Sequence, residues 1–255
     1  MNVYWLEQVE ADVPRGYNWL SAGESVRFES MRFPKRRNDW RLGRWTAKCA
    51  VACYLKVNRE ACHLAGIEVR AAESGAPEVF VRNEPAPVTI SISHRDGAAV
   101  CAVAPSGVLL GCDLEVVELR SGGFIADFFT EEEQSLVSRT PDSDRSQLVA
   151  LLWSAKESAL KALGEGLRLD TRCLTVCPVD GPPHPGQCDK VRGDPMLAGV
   201  ELNGSKSWRP LCVSQTDGQV FDGWWRQTGD LLRTMVAVPL PAPPITLVPA
   251  EYFPN

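Results

Sequence analysis

Between Val88 and Val117 three strand-like runs follow one another with almost no chain between them. Val88-Thr-Ile-Ser-Ile-Ser alternates apolar and small polar residues. Ala98 to Val103 resumes after the Arg95-Asp96-Gly97 turn, and Val108 to Val117 after Pro105-Ser106-Gly107. A parallel partner needs a crossover of a dozen or more residues. Connections this short restrict the chain to antiparallel pairing, so the three runs read as a meander.

Other signals surround it. Val3 to Val9 reads as a first strand. Ser21 with Glu24 three residues on is a capping-box signal for a helix through Ser30. Pro34 suits the first position of a helix, and only Gly43 interrupts a long helical stretch to Lys56. Ile67 to Arg70 and Val79 to Arg82 are short strands around a turn at Glu73-Ser74-Gly75-Ala76-Pro77. Phe124 to Phe129 is a short helix, Thr130 caps another, and Arg145 to Leu163 is a long one that Gly164 ends. Pro178 to Pro195, with five prolines and three glycines, reads as a loop. Strands are expected at Ala198 to Leu202, Pro210 to Ser214, Val220 to Arg226 and Thr234 to Val238. The order is strand, helices, meander, then helices and meander again. That predicts an α+β fold with antiparallel sheets packed by helices. The expected parts are 1–107, 108–238 and a proline-rich tail, 239–255; no internal sequence repeat proves a duplication.

Composition narrows the class. At 255 residues, 44% hydrophobic and 23% charged, the chain is an ordinary globular one. A net charge of −5 argues against a surface that grips nucleic acid throughout. Nine cysteines is an odd number, and no basic stretch precedes the first apolar residues. A reduced, cytoplasmic protein is the expectation. Proline and glycine break both long uncharged runs, 97–112 and 234–250, so no membrane span is expected.

Three features carry chemistry. In Gly111-Cys112-Asp113-Leu114-Glu115 side chains alternate, so Asp113 and Glu115 share one strand face and Cys112 and Leu114 the other, which suits a core. Paired carboxylates repel unless a cation sits between them, and oxygen ligands suit Mg²⁺; a solvated strand face is the plainer reading. Trp153, Glu157 and Lys161 share one flank of the last long helix. Glu157 is a third candidate carboxylate, with Lys156 and Lys161 as phosphate partners; an exposed ion pair is the alternative. Finally, Arg32, Lys35, Arg36, Arg37, Arg41, Arg44 and Lys48 are opposed only by Asp39. This gives residues 32–48 a net +6 and leaves −11 for the rest. Such a patch suits an anion or an acidic partner, or is simply a solvated helix face.

Together these features resemble the surfactin-synthetase-activating (Sfp-like) type of 4′-phosphopantetheinyl transferase. The resemblance rests on Ser93-His94 at a strand end, Gly111-Cys-Asp113-Leu-Glu115, and Trp153-Ser-Ala-Lys156-Glu157-Ser-Ala-Leu-Lys161 with Gly164-Glu-Gly166 after it. Upstream, Arg36-Arg37-Asn-Asp-Trp-Arg41-Leu-Gly43-Arg44-Trp-Thr-Ala-Lys48 also fits. The match in order and spacing covers about residues 25–178. It implies two pseudo-symmetric α+β halves, a monomer, and an active site in the cleft between the halves. It also implies a Mg²⁺-dependent (or Mn²⁺-dependent) holo-[acyl-carrier-protein] synthase reaction. The phosphopantetheine arm of coenzyme A passes to a serine of an acyl or peptidyl carrier protein, and 3′,5′-ADP leaves. No nucleic-acid or membrane partner is implied.

By the same resemblance Asp113, Glu115 and Glu157 hold the metal, Glu157 is the base, and Lys161 serves the leaving phosphate. Ser93 and His94 hold the 3′-phosphate of coenzyme A, and Lys35, Arg37, Arg44 and Arg70 are candidates around it; Lys156 is the weaker candidate, beside Lys161, for the leaving phosphate. Gly75 and Pro77 match the adenine-side turn, although Ala76 stands where a lysine is usual. Three alternatives stay open: a carrier-binding relative without activity, a Mg²⁺-dependent nucleotide phosphohydrolase, and a zinc module at Cys173, Cys177, His184 and Cys188.

Overall fold

The structure, a computed structural model, describes residues 1–57, 61–178 and 207–248. It divides into two compact units, Asn2–Val108 with the chain from Pro244 onward, and Leu109–Pro243 with Met1.

In the N-terminal unit, β1 (Tyr4–Val9) leads to α1 (Ala22–Ser30), α2 (Pro34–Leu55) and the short α3 (Ala61–Leu64). There follow β2 (Ile67–Ala71), β3 (Pro77–Val81), β4 (Glu84–Pro85), β5 (Val88–Arg95) and β6 (Ala98–Pro105). Strands β2, β3 and β4 form one small antiparallel sheet, and β1 and β5 flank β6 in another. The buried side of α2, with Leu42, Trp45, Cys49 and Cys53, packs on Ile90, Cys101 and Val103 of that second sheet.

The C-terminal unit runs β7 (Leu109–Val116), α4 (Gly122–Phe128), α5 (Glu131–Arg139), α6 (Asp142–Leu163), β8 (Leu174–Pro178), β9 (Arg209–Gln215), β10 (Val220–Thr228) and β11 (Leu231–Val238). Its sheet is ordered β7-β11-β10-β9-β8, all neighbours antiparallel. Leu148, Leu152, Ala155 and Ala159 of α6 pack on Phe221, Leu232 and Val236. The tail then returns to the N-terminal unit, where β12 (Ile245–Thr246) pairs parallel with β1 and Leu247 is buried. No helix among the described residues is long and apolar enough to cross a membrane.

The expected three-strand meander is corrected. β5 and β6 do pair as a hairpin, but β7 joins the other sheet beside β11. The second edge of β6 is already taken by β1, paired from Tyr4↔Val103 to Val9↔Ala98. A short turn sets which pairings are possible; competition for an edge sets which one forms. The last long helix also begins at Asp142 rather than Arg145, with Asp142 and Asp144 favouring its positive N-terminus.

The two units share a plan that the sequence does not display. Ser21 and Glu24 close a capping box on α1, as Thr130 and Glu133 do on α5. A helix of 22 residues follows in each, α2 and α6. Lys48 of α2 is wholly buried, ion-paired with Glu24, and donates to the carbonyls of Trp19 (2.8 Å) and Leu64 (3.1 Å). Lys156 of α6 repeats this, 2.7 Å from Glu133 and donating to Phe128, Thr171 and Leu174 carbonyls. Each glutamate accepts two backbone N–H groups, that of its own cap residue and a distant one, from Val69 in one unit and Val176 in the other.

Candidate active site

The acidic strand and the charged flank meet within the C-terminal unit. Gly111, Asp113 and Glu115 are on the face of β7 that meets α6. A Cβ on Gly111 would lie 1.7 Å from the Ser158 carbonyl oxygen, so only glycine permits this approach. The close contact brings α6 polar side chains to the two carboxylates.

Lys161 Nζ donates to Asp113 Oδ1 at 2.7 Å and to the Cys112 carbonyl at 3.1 Å. Ser154 Oγ donates to the other oxygen, Oδ2, at 2.8 Å. Glu115 Oε1 accepts from Arg120 at 3.1 Å. Asp113 and Glu115 are 5% and 7% exposed, so the polar face of β7 is buried rather than solvated. Burial pushes the Glu157 carboxyl above the usual range; Asp113 and, less strongly, Glu115 add to the rise, while Lys161 opposes it. Burial works against the Lys161 ammonium, but Asp113, Cys112 and Glu157 outweigh it and hold its pKa above the ordinary value.

Glu157 lies close enough to Asp113 and Glu115 for both to disfavour its charge, and three such oxygen donors suit a hard divalent cation. They do not stand as a finished cage. No group of three metal-ligating side chains is gathered among the described residues. Lys161 and Arg120 instead engage Asp113 and Glu115.

Lys156, proposed from its position for phosphate, does not join them. Its ammonium is enclosed by Glu133 and three carbonyl oxygens and is fully buried. A lysine one residue before Glu157 points into the other side of α6.

In the N-terminal unit a second group of candidates forms a pocket lined by Phe33, Lys35, Arg36, Asp39, Trp40 and His94. His94 is exposed at the end of β5, and the Gly43 position lies close to its ring, 3.5 Å from a built Cβ. Ser93 is on the opposite face of β5 and buried, so its side chain does not converge with His94. Arg37 lies over the Phe28 ring at 5.3 Å and Arg44 over Trp40 at 5.0 Å. Burial pushes the Arg44 guanidinium pKa down, while Glu24 counters it. Arg70 is held by Glu68 (2.7 Å) and Asn83 (3.0 Å) and lies 4.0 Å from the centre of Phe80. The basic patch is thus smaller than its sequence, because Lys48 is buried in an ion pair. Gly75 has φ +92°, which suits glycine, at the tip of the β2–β3 turn; Pro77 opens β3.

Sequence reasoning had Arg36 in the basic patch but missed Phe33, Asp39 and Trp40 as pocket residues, although the helical spacing of 36 and 40 was a usable signal. It also missed Arg120, Ser154 and Thr234, which nothing local marks. Of the zinc alternative, His184 and Cys188 lie outside the described residues. Cys177 packs with Cys212 and Val220.

Residues 109–200 match a family model described as the 4′-phosphopantetheinyl transferase superfamily. The chain is 26% identical over 164 residues to the 4′-phosphopantetheinyl transferase HetI of Nostoc sp. (strain PCC 7120), covering 64% of this chain and 67% of that protein. A crystal structure of Helicobacter pylori holo-[acyl-carrier-protein] synthase in complex with coenzyme A aligns at 17% identity and TM-score 0.29. That alignment covers 41% of this chain and 99% of the other.

Proposed function

We propose that this chain, whose residues 109–200 match the model of the 4′-phosphopantetheinyl transferase superfamily, carries out a reaction of the surfactin-synthetase-activating type. Coenzyme A gives its 4′-phosphopantetheine to a serine hydroxyl of an acyl or peptidyl carrier protein, and 3′,5′-ADP leaves. The observation that carries the reading is the Lys161–Asp113 ion pair where β7 meets α6, with Glu157 near enough to feel the charges of Asp113 and Glu115, inside the matched segment.

Attack of a hydroxyl on a diphosphate phosphorus needs positioning and charge neutralisation more than covalent help. Asp113, Glu115 and Glu157 would hold Mg²⁺ or Mn²⁺, which when bound supplies Lewis-acid neutralisation of the diphosphate oxygens. Glu157 takes the serine proton as general base. Lys161 stays charged and offsets the negative charge that grows on the leaving phosphate. In the N-terminal unit, His94 and Lys35 bind the 3′-phosphate of coenzyme A, with Arg36 and Trp40 lining the same pocket.

The test is incubation with coenzyme A, Mg²⁺ and a panel of apo-carrier proteins, read by intact mass. A gain of one phosphopantetheine arm on at least one carrier is expected. No gain on any carrier overturns the proposal, and release of phosphate without a carrier would point to hydrolysis instead.

A further inference from the structure

Behind Asp113 lies a chain of three hydroxyls. Ser154 and Ser158 on α6 and Thr234 on β11 are each 0% exposed. Ser154 Oγ is 2.8 Å from Asp113 Oδ2 and 2.9 Å from Thr234 Oγ1. Thr234 Oγ1 is 2.7 Å from Ser158 Oγ and 2.9 Å from the Ser154 carbonyl oxygen. The arrangement follows from register. Thr234 stands opposite Asp113 across the β7–β11 pair, and positions 154 and 158 are one helical turn apart.

With Ser154 donating to Asp113, one proton order supplies every hydroxyl contact of this chain with a proton. An ionised carboxylate only accepts, and a hydroxyl has one proton to give. Ser154 therefore spends its proton on Asp113 Oδ2. In that order Thr234 donates to the Ser154 hydroxyl, with the Ser154 carbonyl oxygen a second acceptor within reach. Ser158 is left to donate to Thr234, at Oγ1 or at the carbonyl oxygen 3.4 Å away. The O–H dipoles run in sequence toward Asp113 and reinforce one another. Hydroxyls in a dry core are unfavourable unless bonded, and apolar side chains of the same size would pack there without that penalty.

We propose that Ser154 and Thr234, backed by Ser158, are positioning residues for Asp113. They keep Oδ2 turned inward and leave Oδ1 toward Lys161, the orientation in which Asp113 works in the proposed transfer. The functional part rests on the reading above, but the orientation has a readout of its own, the affinity of the full-length protein for Mn²⁺.

The experiment compares the wild type with Ser154→Ala, Thr234→Val and Thr234→Ser. Mn²⁺ affinity is measured by water-proton relaxation, kcat and KM for coenzyme A by carrier mass gain, and folding by thermal unfolding. Ser154→Ala and Thr234→Val should each lower Mn²⁺ affinity and kcat about tenfold or more. KM for coenzyme A should stay within about twofold, and Thr234→Ser, which keeps the hydroxyl, should restore the wild-type values. Folded Ser154→Ala and Thr234→Val proteins with wild-type Mn²⁺ affinity and kcat overturn the proposal. So does a Thr234→Ser protein as impaired as Thr234→Val, since packing would then be the cause. If Thr234→Val does not fold, Ser154→Ala decides by the same criteria. A wild type that binds Mn²⁺ but modifies no carrier sinks the transferase reading alone, and the Mn²⁺ comparison still decides the positioning role. A wild type that does neither overturns both.

Discussion

Lys161 Nζ stands 2.7 Å from Asp113 Oδ1, and the same ammonium reaches the carbonyl of Cys112 at 3.1 Å. One cation thus ties the last turns of α6 to both the backbone and the side chain of β7. Asp113→Ala should remove transfer activity by roughly 10²-fold or more while leaving a folded protein. Intact-mass assays beside thermal unfolding check it. Normal turnover by a folded variant would sink the assignment of Asp113 to the reaction.

Glu157 carries an unfavourable charge in the folded protein. Its folded pKa lies above the unfolded value, mainly from burial and then from Asp113. The folded state therefore holds the proton more tightly, and stability falls as pH rises through the carboxylate range. Glu157→Gln should raise Tm at neutral pH without added metal, with the gain shrinking as pH drops below the ordinary carboxylate pKa. The same variant should lose transfer. A Tm unchanged at neutral pH would falsify the electrostatic account.

Lys156→Met tests the buried ion pair. Removing the ammonium leaves Glu133 without its charge partner in a dry site, a loss of about 3–5 kcal/mol. Denaturant unfolding should show it, and a Lys156→Met, Glu133→Leu double variant should recover much of the loss. If Lys156→Met were fully stable yet raised KM for coenzyme A, the lysine would be a ligand contact after all.

Gly111→Ala places a methyl 1.7 Å from the Ser158 carbonyl, so β7 and α6 must separate. Overpacking of this kind costs about 1–3 kcal/mol, and the shift also draws Lys161 away from Asp113. Lower Tm together with lower kcat is expected; a crystal structure with the strand and helix unmoved would contradict it.

His94→Ala should raise KM for coenzyme A more than for dephospho-coenzyme A, because the ring lines the pocket that also holds Lys35 and Arg36. Equal effects on both substrates would count against a 3′-phosphate role. Steady-state kinetics with the two donors decides.

The local signals were legible because their causes are local. A capping box needs only residues three apart, so Ser21–Glu24 and Thr130–Glu133 could be read directly and stand in the structure. The proline at the start of α2 and the glycine after α6, at φ +72°, mark helix ends for the same reason. Side-chain alternation likewise put Asp113 and Glu115 on one face of a strand before any partner was known. What alternation could not say was which face was covered. Both faces of β7 are buried, with Cys112 and Leu114 on one and the carboxylates against α6 on the other.

Other features belong to contacts between residues far apart in the chain. That β7 pairs with β11 rather than β6 depended on β1 having taken the free edge of β6. That Lys48 and Lys156 are buried partners of Glu24 and Glu133, and not part of a phosphate-binding surface, depended on how two long helices roll against their sheets. The repeated plan of the two units emerged only there, because what repeats is a set of polar contacts around a buried lysine and not a run of similar residues. From sequence alone came the longer elements, several of their caps and the chemical types at the site, but not the short α3, β4 and β12. Tertiary structure decided strand partners and the direction of each charged side chain, since burial and charge pairing act between neighbours in space.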